Sequence, residues 1–289
     1  MPGTDGLDVI VRFHDARRLR ELDRAIFSLV GQTYRPINIV LVMQRFTPDE
    51  IAVARNALAP HFHIDDAPDL TIINWEENEP SDSRSMLINR GIENARYRYL
   101  AFLDYDDVLH PDAYALLIGR LRESGAAIAF GGICASELDV FDSYYRTRDR
   151  TFPFSGADVI DLFQHNFCPI HSFVIDRTAV ARHNLFFEPQ MSRNEDYDFL
   201  IRICAQYRSD FSLVRTHIGT YYQKSDGSNT VVTANETSVG RISAWDDACY
   251  FIEGRRRTTL VSADVQCMLG RKPVPDLTIR GLLDQYRTK

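Results

Sequence analysis

Three carboxylates in four positions, Asp104, Asp106 and Asp107, end the apolar run Tyr99-Leu100-Ala101-Phe102-Leu103. Apolar residues at consecutive positions, without alternation, predict a strand buried on both faces. In an open α/β sheet ligands collect at the carboxyl ends of the strands, which is where these aspartates fall. Left uncompensated, such a cluster repels itself and raises its own pKa values. A hard divalent cation removes that cost, and Mg²⁺ is typically held by one or two carboxylates together with oxygens of a phosphorylated substrate. The same acidic turn also serves simply to cap a helix starting near Pro111. A second acidic group lies in Asn194-Glu195-Asp196-Tyr197-Asp198, which opens a helix with Phe199, Leu200, Ile203, Cys204 and Tyr207 on one side. Asp196 is three and four residues before Phe199 and Leu200, hence on the inward-facing side. A carboxylate there can accept a proton; the pair Glu195-Asp196 is equally a favourable charge at a helix N-terminus, worth about 0.3–1 kcal/mol.

The elements that must position these groups alternate. Val9-Ile10-Val11 begins a short buried strand. From Arg17 to Val30, Leu19, Leu22, Ala25, Ile26, Leu29 and Val30 recur at helical spacing. Ile37 to Met43 predicts a second strand, and Thr47-Pro48-Asp49-Glu50 a helix start with Pro in the first turn. Leu70–Ile73 and Tyr99–Leu103 are further strands, separated by a helix from Ser81 to Ala95 capped by Ser or Asp. Strand–helix alternation implies right-handed crossovers and a parallel, Rossmann-like sheet. Neither GxGxxG nor GxxxxGK[ST] follows the first strand, so dinucleotide and P-loop readings lose their main support. After Pro111 the pattern mixes: a helix over 112–123, an apolar run from Ala126 to Ala135, and a polar aromatic stretch around Tyr144–Arg148. A short helix near 157–165 and a strand from Ile170 to Ile175 follow. Lys224 to Asn229 reads as a polar loop, residues 236–254 as weakly helical, and the tail carries no strong signal.

The chain has 289 residues, 45% hydrophobic and 25% charged, with a formal charge of −7. That composition fits a globular enzyme, and the acidic balance argues against a nucleic-acid partner. Five widely spaced cysteines, with no CxxC, suit reduced thiols better than a disulfide framework or zinc site. No stretch approaches the roughly 20 apolar residues that span a bilayer, and the first residues do not read as a signal peptide. The expectation is a cytoplasmic protein, with peripheral docking on the inner face of the membrane left open.

In this order the pieces resemble the inverting family-2 glycosyltransferases of the GT-A fold. Ser28-Leu29-Val30-Gly31-Gln32-Thr33-Tyr34 is similar to that family's S-L-x-x-Q-T-Y segment, and Leu87 to Ala95 to its A-x-N-x-G-I-x-x-A helix. Leu103-Asp104-Tyr105-Asp106-Asp107, with Pro111, matches L-D-x-D-D-x-x-x-P. Asn194 to Phe199, with Arg202, resembles the acceptor-side E-D-x-D-x-x-x-R. The resemblance implies an α/β GT-A fold: a central, mostly parallel sheet flanked by helices, over residues 7–230, with a nucleotide-binding half at about 7–110 and an acceptor half at about 111–230. A C-terminal helical extension, 231–289, follows. It further implies a nucleotide-diphosphate sugar donor and a glycan, lipid-linked or small-molecule acceptor. Mg²⁺ or Mn²⁺ would bridge Asp106 and the diphosphate, with Asp104 on the ribose or the metal and Asp107 behind them or capping. Asp196 would be general base, with Glu195 and His171 on the acceptor side.

The chain departs from the family at several points. Val42-Met43-Gln44-Arg45-Phe46 stands in place of V-D-D-G-S, leaving Gln44 to offer a donor and an acceptor to a base edge. Arg12-Phe13-His14-Asp15 replaces P-T-Y-N, and Arg12 or Arg45 could meet phosphate. Arg84, at a helix N-terminus that favours anions, is a diphosphate candidate. Lys224 stands where a late loop often supplies a histidine, and is another. QxxRW is absent, which favours single-sugar addition. Two other readings remain: a catalytically silent glycan- or nucleotide-binding module on the same fold, and a sugar-phosphate nucleotidyltransferase, disfavoured because Arg12 to Arg17 contains no glycine.

Overall fold

Alternating burial on two faces explains the first half of the molecule. β1 (Leu7–Phe13), β2 (Ile37–Gln44), β3 (Asp69–Trp75) and β4 (Tyr99–Asp104) lie parallel in the order β3-β2-β1-β4. Their connections are α1 (Leu19–Val30), α2 (Pro48–Leu58) and α3 (Arg84–Asn94). Successive strand residues point to opposite faces. Val9, Val11, Ile39 and Leu41 therefore face one core with Leu22 and Ile26 of α1, while Ile10, Val40, Val42 and Phe102 face the other with Leu87 and Ile88 of α3. The expected Pro-started helix is present: Thr47 and Glu50 form a reciprocal capping box, worth about 1 kcal/mol. The computed structural model describes residues 5–80, 82–141, 143–226 and 239–287. Ser81 as a helix cap, residues 227–229 of the polar loop, and the first residues of the 236–254 helix lie outside these.

Beyond β4 the sheet ceases to be parallel throughout. β5 (Val108–Leu109), α4 (Ala113–Ser124), β6 (Ile128–Val140), β7 (Tyr145–Thr151), α5 (Val159–Gln164), β8 (Phe173–Asp176), α6 (Glu195–Gln206) and β9 (Ser209–Lys224) follow in the chain. The sheet continues β4-β8-β6-β9-β5, with β7 on β6. β8 pairs antiparallel with β4 and β6, β7 with β6, and β5 with β9, whereas β6 and β9 run parallel. The parallel arrangement expected from strand–helix alternation thus holds where the crossovers are, and a mixed arrangement takes over where they end.

The tail is more ordered than its sequence suggests: α7 (Val239–Thr258), α8 (Ala263–Met268) and α9 (Ile279–Arg287) follow one another. Ile252, Val265, Ile279 and Leu282 join the same core as Phe102, Phe173 and Phe199. Three of the cysteines, Cys134, Cys168 and Cys204, are buried, and all five are free thiols.

Close approach of α3 to β1 depends on Gly91, where an added Cβ would lie 2.5 Å from Ile10 Cγ2. Gly91→Ala gains up to about 1 kcal/mol of helix propensity but overpacks this contact, a cost of about 1–3 kcal/mol. The variant is expected to be net destabilised by about 1 kcal/mol in urea denaturation; an unchanged midpoint would show that Ile10 repacks freely.

Candidate active site

Arg12 stands opposite Asp104 in the β1–β4 register, at the carboxyl ends of both strands. Adjacent parallel strands carry register partners on the same face, so the guanidinium reaches the carboxylate directly. Nε lies 2.7 Å from Oδ1 and Nη2 3.2 Å from Oδ2. The remaining arm, Nη1, donates to Glu195 Oε1 at 2.7 Å. Burial works to raise the Asp104 pKa, but Arg12 outweighs it and holds this carboxyl below its ordinary value. Arg84, the first residue of α3, approaches the same Glu195 oxygen at 3.9 Å and donates to Asp82 at 2.9 Å.

Glu195 and Asp196 owe their position to a turn. Asn194 adopts a left-handed conformation (φ 54°), which Asn tolerates better than most residues, and α6 starts immediately after it. Asp198 anchors the helix from behind, accepting from Arg202 and from Arg255 of α7 at 2.8 and 2.7 Å. Asp196 accepts the Tyr197 backbone N–H at 2.7 Å, and Asn166 Nδ2 lies 3.5 Å from both its oxygens. Burial, then the charge of Glu195, pushes its pKa up to about 7. At neutral pH this carboxyl is therefore close to half protonated, unlike Asp104.

These groups open into one cavity of about 440 Å³, lined among others by Arg12, Arg84, Asp104, Glu195 and Asp196. His171 and Asp107 also line it, and Phe154, Tyr221 and Trp245 form aromatic walls. A pocket of a few hundred Å³ with convergent polar groups is the ordinary form of a small-molecule site. His171 is buried, with Nδ1 3.4 Å from Asp107 Oδ2, and burial lowers its pKa to about 4, so the imidazole is neutral. Asp107 is buried rather than a surface cap. Burial and then the charges of Asp106 and Asp104 raise its pKa well above the ordinary value, while its Oδ1 accepts the Tyr222 backbone N–H at 2.8 Å.

The other expected residues lie elsewhere. Among the described residues Asp106, Lys224 and Gln44 do not line this cavity. Asp106 Oδ2 pairs with Lys224 Nζ at 2.6 Å, and the Lys224 side chain is fully buried. Lys224, the diphosphate candidate of the late loop, is thus engaged by the Asp106 carboxylate. Gln44 closes β2 opposite Trp75. Arg45, a phosphate candidate, instead donates to the carbonyls of Glu77 and Pro80 and to Ser83 Oγ, clamping the loop before α3.

The divalent ion expected at Asp106 does not fit this arrangement. Both Asp104 oxygens are engaged by Arg12 and the Asp106 carboxylate by an ammonium. A 2+ ion about 4 Å from Lys224 would be repelled by roughly 8 kcal/mol at an effective dielectric of about 20, twice the figure for unit charges.

Sequence patterns missed Asn166 and Trp245 altogether. Neither sits in a motif, and Trp245 comes from the weakly patterned helix α7.

Comparison with known proteins bears on this geometry. The family model described as Glycosyl transferase family 2 matches residues 8–183. "Uncharacterized glycosyltransferase YibD" of Escherichia coli is 25% identical over 129 residues, which are 45% of this chain and 34% of that protein. The chain therefore spans about a third of that relative's length. Among solved structures, S. aureus TarS 1-349 in complex with UDP superposes with a TM-score of 0.54 at 13% identity, covering 75% of this chain and 60% of that one. Mannosyltransferase PcManGT from Pyrobaculum calidifontis, in complex with GDP-Man and Mn²⁺, superposes with a TM-score of 0.55 at 12% identity over 99% of this chain and 72% of that one. At such identities the likeness is one of fold, the GT-A arrangement.

Arg12→Met should leave the half-buried Asp104 and the buried Glu195 without their shared cation, and breaking a buried pair costs about 3–5 kcal/mol. Asp104 has a depressed folded-state pKa, so its share of this stability is present above about pH 4 and is lost as pH falls through the lower folded value. Urea denaturation is expected to show a deficit of about 3 kcal/mol at pH 7 that narrows towards pH 3. A deficit independent of pH would mean that Arg12 contributes packing alone.

Proposed function

Since the chain belongs to glycosyl transferase family 2, we propose that it moves a sugar from a nucleotide-diphosphate donor to a saccharide, lipid-linked or small-molecule acceptor, with inversion at the anomeric carbon. The observation that carries this reading is the single cavity shared by Asp104, Arg12, Arg84 and Asp196. An acceptor hydroxyl attacks the anomeric carbon as the bond from that carbon to the diphosphate oxygen breaks. The electron pair leaves with the nucleoside diphosphate, and the acceptor proton passes to Asp196. An oxocarbenium-like state of the kind found in glycoside hydrolysis separates the two. Charge growing on the leaving group meets the cations of Arg12 and Arg84, which line the cavity in fixed positions.

Asp196 suits the role of base better than an ordinary aspartate does. A carboxylate of pKa near 3.9 is too weak to take a proton at pH 7, and efficiency improves as the pKa nears the working pH. Its elevation to about 7 supplies that match. The aromatic walls Phe154, Tyr221 and Trp245 are suited to an acceptor sugar ring, whose C–H faces pack on aromatic surfaces. Similar structures carry UDP or GDP-Man, which favours a nucleotide-sugar donor here. Mg²⁺ or Mn²⁺ at Asp106, expected from the resemblance, has no step in this mechanism. Among the described residues no helix is long and apolar enough to cross a membrane.

A screen of UDP-, GDP- and TDP-sugars for transfer or slow hydrolysis tests the reading. With a donor identified, kcat/KM is expected to rise with unit slope through about pH 7 as Asp196 ionises, and Asp196→Asn to lower kcat by about 10²–10⁴ while nucleotide binding persists. Nucleotide binding without turnover of any sugar would favour the silent binding module. Full activity of Asp196→Asn would remove that residue from the mechanism.

A further inference from the structure

Lys224 is the last residue of β9, and its environment is built. The chain just before it is fixed by the Tyr222 backbone N–H on Asp107 Oδ1, at 2.8 Å, and the chain just after by the Ser225 backbone N–H on the Leu138 carbonyl, at 2.9 Å. Asp226 is held by Arg18 at 2.7 Å, which also bonds Glu21 of α1. The ammonium lies 2.6 Å from Asp106 Oδ2 and 5.7 Å from the Tyr105 ring centroid. A buried ammonium persists only where an anion and good geometry compensate its lost hydration. Its partner is the carboxylate that would otherwise take a divalent ion. The neighbouring Asp104 is fully engaged by Arg12, and Asp107 faces His171 and the Tyr222 amide. Asp104 and Asp106 thus meet their cations from within the protein, while Asp107 Oδ2 and both ring nitrogens of His171 are buried without a hydrogen-bond partner.

Building on the transferase reading, we propose that Lys224 is the resident cation of the Asp106 position and that sugar transfer at this site requires no divalent metal. Lys224 neutralises Asp106 outside the cavity lining, and Arg12 and Arg84 supply fixed positive charge at the cavity wall. When the bond from the anomeric carbon to the diphosphate oxygen breaks, the electron pair remains on that oxygen, stabilised by Arg12 and Arg84. The acceptor oxygen forms the new bond, and its proton goes to Asp196. Because the charge is part of the fold, donor affinity does not follow metal concentration.

The test uses UDP and GDP as probes with the full chain. Calorimetry in EDTA and in millimolar Mn²⁺ is expected to give the same Kd within about twofold, and electron paramagnetic resonance to show the free Mn²⁺ signal unchanged by protein, with or without nucleotide. Lys224→His removes the fixed charge and adds a metal ligand; it should take up Mn²⁺ and bind nucleotide about tenfold more weakly in EDTA than in Mn²⁺. The proposal is overturned if the unaltered protein takes up Mn²⁺, or if its nucleotide affinity falls by about tenfold or more in EDTA. Should neither nucleotide bind under any condition, the transferase reading fails, while the Mn²⁺ signal still decides the state of the Asp106 position.

Discussion

Arg12 joins the two halves of the molecule through one guanidinium. Its fork meets both oxygens of Asp104 on the neighbouring strand, and its third nitrogen meets Glu195 at the start of α6. Asp104 and Glu195 come from segments 91 residues apart, and neither could be buried here as an uncompensated charge. A lysine would not serve, since a point charge cannot bond two carboxylates in the planar geometry that guanidinium offers. The register that places Arg12 opposite Asp104 is set by packing on both faces of β1 and β4, because a slip by one residue would send every side chain of the strand into the opposite core. Packing thereby fixes the position of the charge, and the charge fixes where α6 begins.

The C-terminal helices complete this arrangement. Arg255 bonds Asp198, Arg256 bonds the Tyr197 hydroxyl and the Gln164 carbonyl, and Trp245 reaches the cavity wall. Removing α7 would leave Asp198, a wholly buried carboxylate, with Arg202 alone. In physical terms the helices after residue 239 belong to the same folding unit as the sheet, since their apolar residues and the sheet's fill one core.

How much was legible in the sequence follows from the range of each interaction. β1, β2 and β4 were visible because nearly every residue in them is apolar, and α2 because its capping box is encoded within four residues. Asp104 and Asp196 were visible as motifs. The pairing of Lys224 with Asp106, 118 residues away in the chain, was not, because no local pattern records which cation a carboxylate will meet. The mixed half of the sheet was obscure for a similar reason: β6 and β9 pair over a register interrupted by bulges, which erases a simple period. α7 was faint because its apolar residues do not fall on one stripe, and Trp245 accordingly gave no sign of its place in the site.

The same residue type performs opposite tasks in this cavity. Asp104 and Asp196 are both half-buried in the cavity wall, and the lost hydration alone would make each a weaker acid. Arg12 bonds Asp104 with two nitrogens and keeps it ionised, whereas Asp196 has Glu195 beside it, one backbone N–H from Tyr197 and a long contact from Asn166. One arginine, by spending its donors on Asp104 and Glu195, preserves a permanent anion at the sheet edge and adds a second negative neighbour to Asp196. That division is how a single cluster of acids yields both a fixed charge and a group able to exchange a proton near neutrality. The neutral His171 fits the same logic: buried against Asp107, it adds no positive charge that would draw the Asp196 pKa back down.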